Sequence, residues 1–136
     1  MIPVAESAIL ARLSAALAPG SVLVGSFDDV DLTDDGSGPV IGQIRLERIN
    51  TLQNVRGSAA RIQLVYSVCV YCDVQRSDAS EKTAALQMLE DAGNSLVAWT
   101  YVPGITPEIV DGPDSVFDGR VLRIGFAFTL ETCFSG

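Results

Sequence analysis

Two long stretches of alternating apolar and polar residues organise this chain. Over 61–75, Ile62, Leu64, Tyr66, Val68, Val70, Cys72 and Val74 fall on one face, and Arg61, Gln63, Ser67, Asp73 and Gln75 on the other. Over 120–132, Leu122, Ile124, Phe126, Phe128 and Leu130 alternate with Arg123, Gly125, Thr129 and Glu131. Side chains of a strand point to opposite sides with period two, so both stretches predict strands of a sheet covered on one face. This pattern specifies a scaffold and no chemistry.

Helical periodicity appears twice. Residues 3–18 predict an amphipathic helix with Ala5, Ile9, Leu13, Ala16 and Leu17 as its apolar stripe and Glu6, Ser7, Arg12 and Ser14 facing water. Pro3 suits the first turn, and Ala18-Pro19-Gly20 ends the helix. A second helix opens at Asp78, whose spacing to Glu81 is that of a capping box, with Asp in place of Ser or Thr. Its apolar face is Ala85, Leu86, Leu89, Ala92, Leu96 and Val97, and Gly93-Asn94 is a point of fraying or kinking. Short strands are expected at 21–27 and 40–49, the latter with Ile44 and Leu46 inward and Gln43, Arg45 and Glu47 outward. Residues 28–39 read as an acidic loop and 50–60 as a polar connection. The Pro- and Gly-rich segment 99–113 reads as loop with a short strand at Trp99–Val102. Asp118-Gly119, between Val116-Phe117 and Val121-Leu122, is a hairpin turn signal. The order α-β-β-β-α-β-β predicts a single α+β domain over 1–136, an antiparallel sheet of about five strands with two helices packed on one face.

One length is out of proportion. A strand over 61–75 rising about 3.3 Å per residue spans roughly 45 Å. A domain of this size has a diameter of about 37 Å. The strand therefore bends, bulges, or projects as a hairpin arm with 50–60 at its tip.

Composition narrows the function classes. The chain has 136 residues, 48% hydrophobic and 19% charged, as in a folded domain. Its formal charge is −8, which disfavours binding that depends on neutralising phosphates or anionic lipid headgroups. An acidic wall can still surround nucleic acid without gripping it. No apolar run is long enough to span a bilayer, and the opening Met-Ile-Pro-Val-Ala-Glu lacks a signal-peptide pattern, which predicts synthesis in the cytosol. Three cysteines, Cys69, Cys72 and Cys133, argue against a disulfide framework. Cys69-x-x-Cys72 has redox or zinc spacing, but an offset of three in a strand sends the thiols to opposite faces. A structural core role is expected for Cys72.

Candidate chemistry is sparse. The chain has no histidine, which removes Ser-His-Asp and Cys-His arrangements. Lys82 is the single lysine and sits on a helical first turn, and no phosphate-cradling glycine motif occurs. Asp31, Thr33, Asp35 and Gly36 match the first half of a calcium loop, but its twelfth position is Gly42, so a solvated acidic turn is the better reading. The same loop, with Asp28, Asp29, Asp31, Asp34 and Asp35, is also a candidate for facing an enclosed channel. Glu90 and Asp91 are adjacent on a helix and do not converge. Trp99 and Tyr101 read as core or interface residues. Arg45, Arg48, Arg56 and Arg61 gather around the proposed arm, either as ordinary sheet-surface charge or as a basic patch for a partner. No cofactor and no metal is expected.

The whole-chain pattern resembles small tail proteins of long-tailed bacteriophages: the Mu-like prophage tail protein family and, more distantly, tail-terminator or tail-completion proteins similar to lambda protein U. The residues that carry the likeness are the helix Val4-Ala-Glu-Ser-Ala-Ile-Leu-Ala-Arg-Leu13, the strand Ile62–Val74 before the helix Ser80–Val97, and the closing strand Val121–Leu130. The resemblance implies a non-enzymatic virion structural protein, made in the host cytoplasm and located at the neck end of the tail. It implies a hexameric ring that ends tube polymerisation and joins tail to head. Its partners would be other copies of itself, the tail tube protein, a head–tail connector or stopper protein, and sheath protein if the tail is contractile. DNA would pass through without specific binding, and no membrane is involved. Two alternatives stand beside this reading: another neck component, such as a head-closure or adaptor protein, and a small ligand-binding α+β domain.

Overall fold

The alternation from Arg61 becomes a strand as far as Asp73, with Val74 and Gln75 outside the described residues, and two more strands of equal length flank it. The computed structural model describes residues 2–17, 21–28, 30, 41–55, 59–73, 79–117, 119 and 121–135. The elements are α1 (Ile2–Ala16), β1 (Val22–Val24), β2 (Ile41–Val55), β3 (Ala59–Asp73), α2 (Ala79–Val97), β4 (Glu108–Val110), β5 (Val116–Phe117) and β6 (Val121–Ser135). They form an α+β fold with a six-stranded sheet in the order β1-β2-β3-β6-β4, with β5 also on β6. β3 pairs antiparallel along its whole length with β6 and, through two register shifts, with β2.

The sheet differs from the expected one in two ways. It is mixed, because β1 lies parallel to β2, and it has six strands rather than five. The connection from β1 to β2 is long enough for a parallel return, which a tight hairpin would forbid. The expected strand at Trp99–Val102 is absent. Val102 and Ile105 make an isolated bridge around Gly104, whose φ is 81°, and the strand begins at Glu108. The hairpin signal holds: β5 pairs with β6 around Gly119, which has φ 94°.

The helix-side face of the sheet carries the main core, and Val65, Ser67, Cys69 and Ala127 on the other face are buried as well. Ile44 of β2, Ile62, Leu64, Tyr66 and Val68 of β3, and Phe128 and Leu130 of β6 are buried against Ala5, Ile9 and Leu13 of α1 and Ala92 and Leu96 of α2. A second cluster joins Val70 and Cys72 to Ala85 and Met88. The buried stripe of α2 is therefore Ala85, Met88, Ala92 and Leu96, whereas Leu86 and Val97, expected inside, are exposed. Tyr66 and Phe128, opposite each other in the ladder, stack at 5.8 Å between ring centroids.

Two residues expected in water tie the layers together. Glu6 Oε1 accepts the Ser26 backbone N–H at 2.9 Å, fixing α1 to the turn after β1. Arg12 donates from Nε and Nη2 to the Ser95 carbonyl at 3.2 and 3.1 Å. That carbonyl belongs to the last turn of α2, where intrahelical partners run out. The helix runs through Gly93-Asn94 to Val97.

Candidate assembly surface

The sheet extends past the layer that covers it. No described residue of β2 from Arg45 to Asn54 is buried, and on β3 Ala59 and Ala60 are half-buried and Arg61 exposed. At the same end of β6, Cys133 and Phe134 are exposed. The ladder nonetheless continues to Val55 opposite Ala59, so this end is paired strand, where a connection over 50–60 was expected. Of the outcomes foreseen for the over-long strand at 61–75, the bulges fall in its partner β2 rather than in β3 itself, and the far end of the hairpin stands clear of the helices.

Two bulges set the faces of β2. The register shifts between Leu46 and Arg48, and again between Thr51 and Gln53, leaving Glu47 and Leu52 as the extra residues. A shift of one residue reverses which side chains face the core. After the first shift Ile49 stands opposite Leu64 on the helix-side face, while Arg48 stands opposite Val65 on the other. Ser67 donates its hydroxyl to Glu47 Oε1 at 2.6 Å, anchoring that bulge.

Among the described residues, the outer edge of β2 is open over this length. β1 reaches only from Ile41 to Gln43, and Leu46 donates its N–H to Ser26 Oγ at 3.0 Å. Among the described residues, no strand pairs with β2 from Arg48 onward on that side. Arg45, Arg48 and Arg61 lie on the face away from the helices, opposite Ser67, Val65 and Cys133 respectively. Arg61 pairs with Glu131 at 3.0 Å, both well exposed, so the pair contributes little to stability. Arg45 and Arg48 form no ion pair among the described residues. Arg56 lies outside those residues.

The opposite edge carries two cavities in the loop that precedes β4. One, of about 220 Å³, is polar and lined by Gln63, Thr106, Glu108, Thr129 and Glu131. The other, of about 250 Å³, is lined by Tyr101, Val102, Ile105, Thr132 and Cys133 together with Arg61 and Glu131. Tyr101 is held edge-on to Trp99 at 5.5 Å between ring centroids, and its N–H donates to the Ile105 carbonyl at 2.9 Å. The sequence signalled this loop by Pro103-Gly104 and Pro107, but nothing in its pattern signalled the cavities, Glu108 or Leu52 as surface features.

The acidic loop is only partly described. Asp28 accepts the Gly25 N–H on Oδ2 at 3.0 Å, and its carbonyl accepts Gln43 Nε2 at 3.1 Å, so it closes the turn after β1. Asp29, Asp31, Asp34 and Asp35 lie outside the described residues. Among the described residues, no cluster of three or more metal-ligating side chains exists, and no helix is long and apolar enough to cross a membrane. Cys69 and Cys72 are both buried, and Cys133 is exposed. Burial pushes the Cys69 thiol pKa up, partly offset by its contact with Ser67 Oγ. No protein-family model matches this chain, and no curated protein sequence matches it.

Proposed function

We propose that this chain is a structural protein of a phage-like tail. It forms a ring at the head-proximal end of the tail tube, ends tube growth and joins the tail to the head connector. The order of elements and the three carrying segments that resemble tail-terminator proteins support this reading. The observation that carries it is the three-stranded extension beyond the helical layer, where among the described residues the edge of β2 is open and Arg45 and Arg48 form no ion pair. A monomeric protein usually blunts or covers such an edge, whereas a ring subunit needs two different complementary surfaces. A formal charge of −8 suits a wall past which DNA slides without adhering.

The test is negative-stain microscopy of the concentrated protein, with mass by light scattering on the same sample. Six-fold rings with an open centre are expected, and a closed two-fold dimer would overturn the reading. Replacing Arg48, Arg56 and Arg61 together by Ser is expected to leave the monomer folded and to impair ring formation. Unchanged rings from that variant would remove the basic patch from the argument.

A further inference from the structure

The two edges of the sheet match row by row. Arg48 stands opposite Val65, Val65 opposite Thr129, and Thr129 opposite Glu108, so one row crosses the sheet from the open edge of β2 to β4. Glu108 and Thr129 line the polar cavity together with Glu131. Four residues further along β2, Leu52 is the extra residue of a bulge. Its neighbours Thr51 and Gln53 stand opposite Ile62 and Arg61, which in turn stand opposite Thr132 and Cys133. Thr132 and Cys133 line the apolar cavity. β4 extends only across Ala127 to Thr129, so beyond it the outer side of β6 is a notch, filled in part by Tyr101, Val102 and Ile105. One edge thus presents a cation and, four residues on, an apolar bulge. The other presents a carboxylate cavity and, four residues on, an apolar notch.

We propose that the occupant of these two cavities is a second copy of this chain, docked edge to edge. Arg48 of one copy enters the cavity of Glu108 and Glu131 on the next, and Leu52 enters the notch beside Tyr101, Ile105 and Cys133. A sideways repeat across the strands produces this contact without shifting rows. β2 runs parallel to β6 and so antiparallel to β4, the orientation in which adjoining edges pair most readily. Leu52 is 42% exposed, and the notch of about 250 Å³ exceeds several-fold the roughly 30 Å³ share of a water molecule, leaving room for a leucine side chain. Arg48 makes no ion pair among the described residues of its own copy, and Glu108 makes none either. The contact joins two different surfaces, so it propagates head to tail and closes into a ring if each step carries a fixed rotation. This inference rests on the ring-forming reading and specifies the interface that reading leaves open.

Cys133 makes the contact testable by cross-linking. Within one copy, β3 separates β2 from β6, so positions 52 and 133 are two strand spacings apart, about 9.6 Å. That exceeds the roughly 7 Å reach of a disulfide between Cα atoms, so a link from 52 to 133 forms only between copies. The Leu52→Cys variant, concentrated and oxidised with copper–phenanthroline, is expected to give a ladder of linked dimers, trimers and higher species on a non-reducing gel. The double variant Leu52→Cys with Cys133→Ser is expected to lose the ladder, because Cys69 and Cys72 are buried. Arg48→Glu or Glu108→Arg, added singly to Leu52→Cys, should weaken the ladder, and both together should restore it. No ladder from Leu52→Cys, or dimers from the double variant, would overturn the proposal, the latter indicating a two-fold contact or another occupant. Microscopy of the same samples separates the two claims. Rings without the ladder keep the ring and refute this interface, while a ladder of open chains keeps the interface and refutes the ring.

Discussion

Tyr66→Phe is expected to stabilise this protein. Tyr66 is fully buried at the centre of β3, and its hydroxyl has no hydrogen-bond partner among the described residues. A buried hydroxyl left unpaired costs about 1–3 kcal/mol relative to water. Removing the oxygen leaves a void of roughly 15 Å³, which costs about 0.4 kcal/mol at ~24 cal/mol per Å³. The ring itself is retained, with its stacking on Phe128 at 5.8 Å and 16° between planes. The net gain is about 1 kcal/mol, or about 3–5 °C in Tm for a chain of this length. Urea unfolding followed by the fluorescence of Trp99, the single tryptophan, measures it, with an unchanged denaturant slope as the control. The alkaline limb gives a second readout. Burial, with a smaller contribution from the Glu6 carboxylate, pushes the Tyr66 pKa from 10.0 to about 12. Between those values the unfolded chain releases a proton that the folded chain keeps, so stability falls as pH rises from 10 to about 12. The Phe variant should lose less stability than the parent across that window. A destabilisation of 1 kcal/mol or more at pH 7 would refute the reasoning, because it would mean that the hydroxyl is hydrogen-bonded in solution.

Three further substitutions test the frame. Gly125→Ala should destabilise by about 3 kcal/mol in the same urea assay, because its Cβ would stand 2.1 Å from the Val68 carbonyl oxygen and 2.9 Å from Cys69 Cα, and backbone cannot move aside as a side chain does. Gly93→Ala should stabilise by about 0.5–1 kcal/mol, since the position is helical and the nearest atom, Phe126 Cζ, lies at an ordinary 3.9 Å. Arg12→Ala should cost about 1 kcal/mol and speed amide exchange at the end of α2, because the Ser95 carbonyl loses both donors.

The central strands were legible because the packing they enter is simple. From Ile62 to Cys72 one face of β3 meets a helical layer, so every second residue is apolar and buried, while Val65, Ser67 and Cys69 on the other face are buried as well, which the alternation did not signal. β2 was not legible beyond Ile49 for two reasons. Its far end has no covering layer, so no apolar period marks it as strand. Its bulges also break the phase, so Leu46 and Ile49 reach the same face at an odd spacing. The parallel pairing of β1 depends on a connection whose path no local pattern encodes. In α2, Leu86 outranks Met88 in hydropathy, but Met88 is three residues from Ala85 and four from Ala92, and the helical period decides which one is buried. Of the candidate interface, the arginines were visible as a charge cluster against an acidic background. Their counterpart was not, because the cavities arise where the loop from Tyr101 to Thr106 meets β6, a juxtaposition of segments distant in sequence.

The two bulges connect the stability of this fold to its proposed assembly. An unbroken β2 would turn Arg48 toward the helix-side face, opposite Leu64, and Ile49 to the other face. The extra residue Glu47 prevents this, and its bond to Ser67, which is fully buried, fixes the bulge to the most constrained strand in the sheet. The second bulge reverses the faces again, so that Gln53 returns opposite Arg61. Leu52 is the residue left over from that correction. It has no partner in the ladder and stays 42% exposed, so a leucine there gains only part of its burial energy in the isolated subunit. Its exposure four residues from Arg48, which forms no ion pair among the described residues, acquires a physical rationale once a second edge bearing Glu108 and the Tyr101 notch is brought alongside.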